Sequence, residues 1–214
     1  DPGEISGGNN ATTAFLKIAE AGARGKTVFI SRADRSGTNL LELKIWAQLG
    51  LQPSNSSYGW YLEAGASMGT VLRMTDEKRA YTLTDRGTWL SFKKQLKNLA
   101  VQVESDRILL NPYGVIPINP DKYPLRNFRM AVAFVKFLIS EEGQKLIADF
   151  KKENETLFTP VARDYEFART LGFPNQELEV DWYERQTVIT GTELSEPYSV
   201  VEGLLKAIRR IISL

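Results

Sequence analysis

The sequence predicts an α/β fold, and three observations carry the prediction. Short apolar runs alternate with stretches of helical period through most of the chain. Two of these runs lead into polar corners of one character, 29–38 (FISRADRSGT) and 80–88 (AYTLTDRGT). Hydrophobic content, 43%, is that of an ordinary globular chain, and no run approaches the length of a membrane span.

The elements follow in order. Residues 1–10 are rich in Gly, Pro and Asn and read as loop. Over 11–21, Phe15, Ile18 and Ala19 recur at helical spacing, and Gly22 marks an end. Residues 26–31 read as a short buried strand. Residues 40–49 carry Leu41, Ile45 and Leu49 four apart, which predicts a helix with one face in a core, ended by Gly50. Trp46 lies on or near that face and reads as packing. The small residues of 59–69 predict a tight strand-to-helix turn and a helix to about Arg79, with Ser67 either capping it or facing a ligand. Trp60 and Tyr61 read as packing. Residues 80–83 read as a strand, and Thr84 as the N-cap of a helix to about Leu96.

Further strands are expected at 101–103 and 108–110. Residues 111–119 read as a strand interrupted by prolines, hence an edge strand or a crossover between lobes. A helical pattern over 123–139 includes Phe128, Val132, Val135 and Leu138. Ser140 then reads as the N-cap of a helix to about Phe150, with acidic residues in its first turn. Residues 200–214 have the pattern of an amphipathic terminal helix packed on the domain.

Composition removes much chemistry. The 214 residues suffice for one large domain or two small lobes. Basic and acidic residues number 27 and 26, which does not suggest broad electrostatic binding to nucleic acid. The chain has no cysteine and no histidine. Cysteine nucleophiles, Ser-His-Asp triads and His- or Cys-ligated zinc or copper are thereby excluded. Carboxylate-bound calcium or magnesium stays open, although no EF-hand spacing appears; the expectation is no direct cation ligand and no cofactor.

The two corners suit an anion. Helix-start N–H groups have no partner within the helix, and the dipole there favours negative charge. Ser31, Ser36 and Thr38 add hydroxyl donors, Gly37 lets a backbone approach a ligand, and Arg32 adds a forked, permanently charged donor set. A plain helix cap by Ser36 or Thr38 is the alternative. The repetition of the pattern at 80–88 favours an anion pocket over two independent caps.

At these residues the chain resembles the tungstate-binding solute receptors of ABC importers. Residues 29–38 with Trp46 resemble their SR-x-D-x-SGT…E…W signature. Residues 60–69 (WYLEAGASMG) are similar to their WY-x-E-x-G-x-x-MG segment, and 81–88 (YTLTDRGT) to YTLTDR-x-T. Residues 111–120 resemble the crossover to the first lobe, and 134–144 the late helix pair of periplasmic binding proteins. The family's anion-touching threonine and serine segment has no counterpart before Asp1, and residues from 161 onward match nothing in it. Arg35 and Asn39 stand where acidic and basic or His residues are usual.

The resemblance implies a two-lobed, type II periplasmic-binding-protein fold whose first lobe is incomplete at the N-terminus. Residues 1–110 would be mainly the second lobe, 111–160 the return to the first, and 161–214 a C-terminal extension. It implies Ser31, Arg32, Ser36, Gly37 and Thr38 as anion contacts, joined by Thr82, Thr84 and Arg86, with Asp85 capping a helix or orienting an arginine. The expected function is capture of tungstate or molybdate, without chemistry, in a cleft whose closure signals a membrane permease. The expected setting is periplasmic or extracellular, with a membrane anchor conceivable in a full-length protein, and the expected state is monomeric. Two other classes compete with this reading. A cytoplasmic oxyanion-sensing regulator of the same fold would need a DNA-binding segment, and no helix-turn-helix with a basic face is evident. An enzyme using Ser36 or Ser67 with a base such as Lys44 lacks S-x-x-K spacing and paired carboxylates.

Overall fold

A computed structural model describes residues 1–54 and 57–186. The chain forms two compact units. The first comprises Asp1–Tyr113 with Asp149–Thr159; the second, among the described residues, comprises Gly114–Ala148 with 160–186.

In the first unit, helix α1 (Ala11–Ala23) leads to strand β1 (Phe29–Ser31), helix α2 (Gly37–Gln48), strand β2 (Tyr61–Glu63), helix α3 (Met68–Lys78) and helix α4 (Arg86–Phe92). β1 pairs in parallel with β2, Phe29 opposite Tyr61. On its other edge it meets Tyr81: Tyr81 N donates to Val28 O at 2.9 Å and Ile30 N to Tyr81 O at 2.8 Å. β1 is therefore central and buried on both faces, as a parallel strand covered by helices must be. Phe29 faces a cluster with Phe15, Ile45, Trp46, Trp60 and Tyr61; Ile30 faces another with Met68, Val71 and Leu72. The rings of Phe15 and Trp46 lie 4.5 Å apart and those of Trp46 and Trp60 5.6 Å apart. Trp46, Trp60 and Tyr61 are core residues, as the sequence predicts.

The predicted elements are corrected in several places. Gly22 lies inside α1 rather than ending it, and an added Cβ there would meet Trp60 Cγ at 2.5 Å. Strand β1 starts at Phe29, not at residue 26. Residues 80–83 form one isolated bridge at Tyr81; among the described residues, Tyr81 alone of the four pairs with β1 through its backbone. Residues 101–103 likewise form a single bridge, Gly8 with Val103. Arg107–Leu109 is a short 3₁₀ turn capped by Asp106, not a strand. Among the described residues, 111–119 have no strand partner, and most of them are exposed. The cap of α4 is Asp85 rather than Thr84, accepting from Thr88 N at 2.8 Å and from Thr88 Oγ1 at 2.7 Å, and the helix stops at Phe92.

The hairpin of β3 (Lys151–Lys152) and β4 (Glu155–Thr156) joins the first unit across its surface. Lys93 pairs with Glu155 and Lys94 with Glu153, while Arg86 reaches Glu155 at 2.8 Å and Glu104 at 3.2 Å.

The second unit is helical: α5 (Phe128–Ile139), most of α6 (Glu141–Asp149), α7 (Tyr165–Thr170) and α8 (Gln176–Arg185). α5 starts at Phe128, later than the pattern from 123 predicts. Ser140 caps the next helix as expected, its Oγ accepting from Gly143 N at 3.1 Å. Val135 and Ile139 pack with Ala162 and Val180, so part of the segment after 160 shares a core with α5. The expected helix at 200–214 lies outside the described residues.

Candidate functional site

Three turns lie side by side at the carboxyl ends of the parallel segments of the first unit. This is where open α/β sheets place ligands. Residues 31–36 lead from β1 to α2, 64–67 from β2 to α3, and 82–85 from the Tyr81 bridge to α4. Hydrogen bonds join them. Ala64 N donates to Ser31 O at 3.0 Å and Ala66 N to Arg32 O at 3.2 Å, while Thr82 Oγ1 donates to Ile30 O at 2.7 Å.

The first corner is a strand-to-helix turn, as the sequence suggests. Ser36 is the N-cap of α2, its Oγ accepting from Asn39 N at 3.4 Å. Gly37 and Thr38 occupy the first two helical positions, where N–H groups have no intrahelical acceptor. The cap reading of this turn applies: Ser36 caps the third N–H, and the first two have no acceptor within the helix. Arg32 donates from Nη2 to Asp34 at 2.5 Å, and its Nε is buried with no hydrogen-bond partner among the described residues. A buried donor without an acceptor calls for an explanation, and an absent ligand is one of the few. Burial works to raise the Asp34 carboxyl. Hydrogen bonds from Ser36 and Arg32 outweigh it and hold Asp34 below the usual carboxylate value.

Ser31 faces the other way. It is fully buried, and its Oγ donates to Glu42 Oε2 at 2.7 Å. Glu42 is 2% exposed and also accepts from Asn39 Nδ2, Trp46 Nε1 and Tyr61 OH. Burial raises its carboxyl pKa, and the four hydrogen bonds oppose that. Sequence reasoning gave Glu42 and Asn39 no role in the site, although the first falls on the acid of the family signature and the second on a position where the family differs. The fully buried stripe of α2 is Asn39, Glu42, Ile45 and Trp46, and the predicted row also meets the core, with Leu41 and Leu49 partly buried against the same cluster. The signal was present: Glu42 lies four residues before Trp46 and three after Asn39, on one helical face.

The second corner is more committed. Thr82 and Thr84 are half-buried, and Thr84 Oγ1 donates to Asp85 O at 3.3 Å. The Arg86 guanidinium is exposed and bound to Glu104, Glu155 and Thr156 O. Between the two corners, Ser67 holds the N-cap position of α3 without a side-chain cap bond; its Oγ lies 3.0 Å from Thr70 Oγ1.

Among the described residues no cluster of acids suits a metal ion. The donor set is instead hydroxyl, amide and guanidinium, which recognises oxyanions.

Several known proteins are similar to this chain. Residues 5–142 match the model of the PBP superfamily domain. The chain is 46% identical over 156 residues to the tungstate-binding protein TupA of Peptoclostridium acidaminophilum, covering 72% of this chain and 52% of that protein. The tungstate-binding protein TupA from Desulfovibrio alaskensis superposes with a TM-score of 0.63 at 36% identity, covering 75% of this chain and 63% of that one. The tungstate ABC transporter structure from Geobacter sulfurreducens gives 0.59 at 38% identity, covering 70% and 60%. The chain spans about half the length of the curated relatives it matches.

Proposed function

The chain belongs to the PBP superfamily, and on that premise we propose that it is a solute receptor, not an enzyme, that captures tungstate or molybdate for an ABC importer. The observation that carries the reading is the buried, unpartnered Nε–H of Arg32, in the same corner as the open first turn of α2. Arg32 would supply the charge, the Gly37 and Thr38 N–H groups and the Ser36 hydroxyl the neutral donors. Thr82, Thr84 and Arg86 form a second set. To reach an anion they would exchange their present acceptors: Ile30 O, Asp85 O, and the pair Glu104 and Glu155. Ser31 enters as a support, because its hydroxyl hydrogen already serves Glu42. The pocket would favour tungstate and molybdate over sulfate by size, since all three carry two charges. A permease partner, a periplasmic or extracellular setting and a monomeric receptor belong to the same proposal, as does the assignment of 1–110 to the second lobe, 111–160 to the return and 161–214 to an extension.

Isothermal titration of the folded chain with tungstate, molybdate, sulfate and phosphate tests it. Saturable heat with the first two, and much weaker heat with the others, is the expected result. A folded chain that binds tungstate no better than sulfate would refute the receptor reading.

A further inference from the structure

We infer that Glu42 is the positioning residue of the anion corner, acting through Ser31 and Asn39 on the backbone between Arg32 and α2. The inference deepens the receptor reading and rests on it.

The argument is one of hydrogen-bond direction. Four donors from three elements converge on one carboxylate. Ser31 comes from β1, Tyr61 from β2, and Asn39 and Trp46 from α2. Glu63, also on β2, is the other acid that acts on Tyr61. Indole N–H and amide NH₂ can only donate, so Glu42 must accept. Because it accepts, Ser31 turns its hydrogen inward and its oxygen remains to receive Ala33 N at 3.2 Å. Because it accepts, the Asn39 amide turns its NH₂ inward, toward Glu42 and toward Ser31 Oγ at 3.1 Å. Its Oδ1 then receives Arg35 N at 3.0 Å. The two backbone N–H groups caught in this way belong to the corner's two left-handed residues, Ala33 (φ 50°) and Arg35 (φ 58°). Neither is glycine, so neither holds that conformation unaided. The path of 33–35 fixes the spacing between the Arg32 guanidinium and the Gly37 N–H. A buried carboxylate, facing away from any ligand, thus sets the shape of the surface that would grip one.

The test uses Glu42→Gln and Asn39→Ala in the whole chain. Amide hydrogen exchange is read site by site without ligand, alongside tungstate titration. The glutamine side chain would keep the volume but place an NH₂ where donors already converge. In folded Glu42→Gln the Ala33 and Arg35 amides should exchange at least about tenfold faster while α3 amides are unchanged, and tungstate affinity should fall by about tenfold or more. Asn39→Ala, which cuts only one arm, should speed Arg35 and spare Ala33; it decides the question if Glu42→Gln does not fold. Unchanged protection of both amides overturns the inference, whether or not the parent chain binds tungstate. Lost protection with unchanged tungstate affinity overturns it too. Failure of the parent chain to bind tungstate refutes the receptor reading instead, and leaves the exchange result to judge the positioning of the corner.

Discussion

Replacing Arg32 by Ala should remove most of the affinity for tungstate and little of the stability. The guanidinium has one bond within the corner, from Nη2 to Asp34 at 2.5 Å, and a buried Nε–H with no acceptor. A hydrogen bond to a charged group contributes about 1.5–3 kcal/mol. At about 1.4 kcal/mol per factor of ten, losing that contact weakens binding roughly ten- to hundredfold. Losing the cation also leaves Asp34 uncompensated near a dianion, which adds repulsion to the loss. Asn at position 34 removes that charge and keeps an oxygen for Ser36 N, now 3.1 Å from Asp34 Oδ1. The double variant Arg32→Ala/Asp34→Asn should therefore bind more tightly than Arg32→Ala. Folding should hardly register the change, because an ion pair this close to solvent contributes about 0–1 kcal/mol. The assay is calorimetric titration of the parent, both single variants and the double variant, each with its thermal midpoint. Parental affinity in folded Arg32→Ala would refute the assignment of the site. A double variant no tighter than the single would refute the charge argument alone.

Gly37→Ala should leave stability unchanged or slightly raised, since open space surrounds that position, yet weaken tungstate binding by blocking close approach to the backbone; unaltered titration would remove Gly37 from the site. Gly22→Ala should destabilise by up to about 2 kcal/mol. Overpacking against Trp60 costs about 1–3 kcal/mol, less roughly 1 kcal/mol of helix propensity gained, and a thermal midpoint at or above the parent's would contradict the packing. Acid should loosen the β3–β4 hairpin. The hydrogen bond from Lys93 holds the Glu155 carboxyl low, with burial opposing and the Lys93 and Arg86 charges assisting. The folded state then binds fewer protons than the unfolded one around and below the usual glutamate value, so this stability is present above that value and lost as pH falls through and below it. Glu155→Gln should flatten part of the acid limb of the melting profile, and an unchanged limb would exclude the pair as its cause. Glu42 carries the opposite sign: burial raises its pKa, so its contribution to stability falls as pH rises through the range above the usual glutamate value.

Where the sequence succeeded, local physics was enough. Apolar period and caps located α1, α2 and α3, and the hydroxyl-glycine-arginine corners stood out because their residue types have few other uses. Where it failed, the deciding partner was remote. Residues 80–83 have strand composition, but only Tyr81 pairs with β1, which lies far earlier in the chain. The resemblance makes Arg86 an anion contact, but its guanidinium is bound to acids 18 and 69 residues away. Glu42 is an acid in a helix, a type that usually faces solvent. Its burial depends on donors from β1 and β2 that no window of α2 contains.

Taken alone, the order of residues determined which hydroxyl, glycine and guanidinium groups stand at the two corners and excluded thiol and imidazole chemistry, because these are properties of composition and short spacing. Tertiary structure decided the direction of each hydrogen bond. Ser31 and Ser36 are the same residue type in one loop, yet one points into the core and the other caps a helix. That choice rests on where a single buried carboxylate lies relative to two strands, and only packing in three dimensions brings those groups within bonding distance.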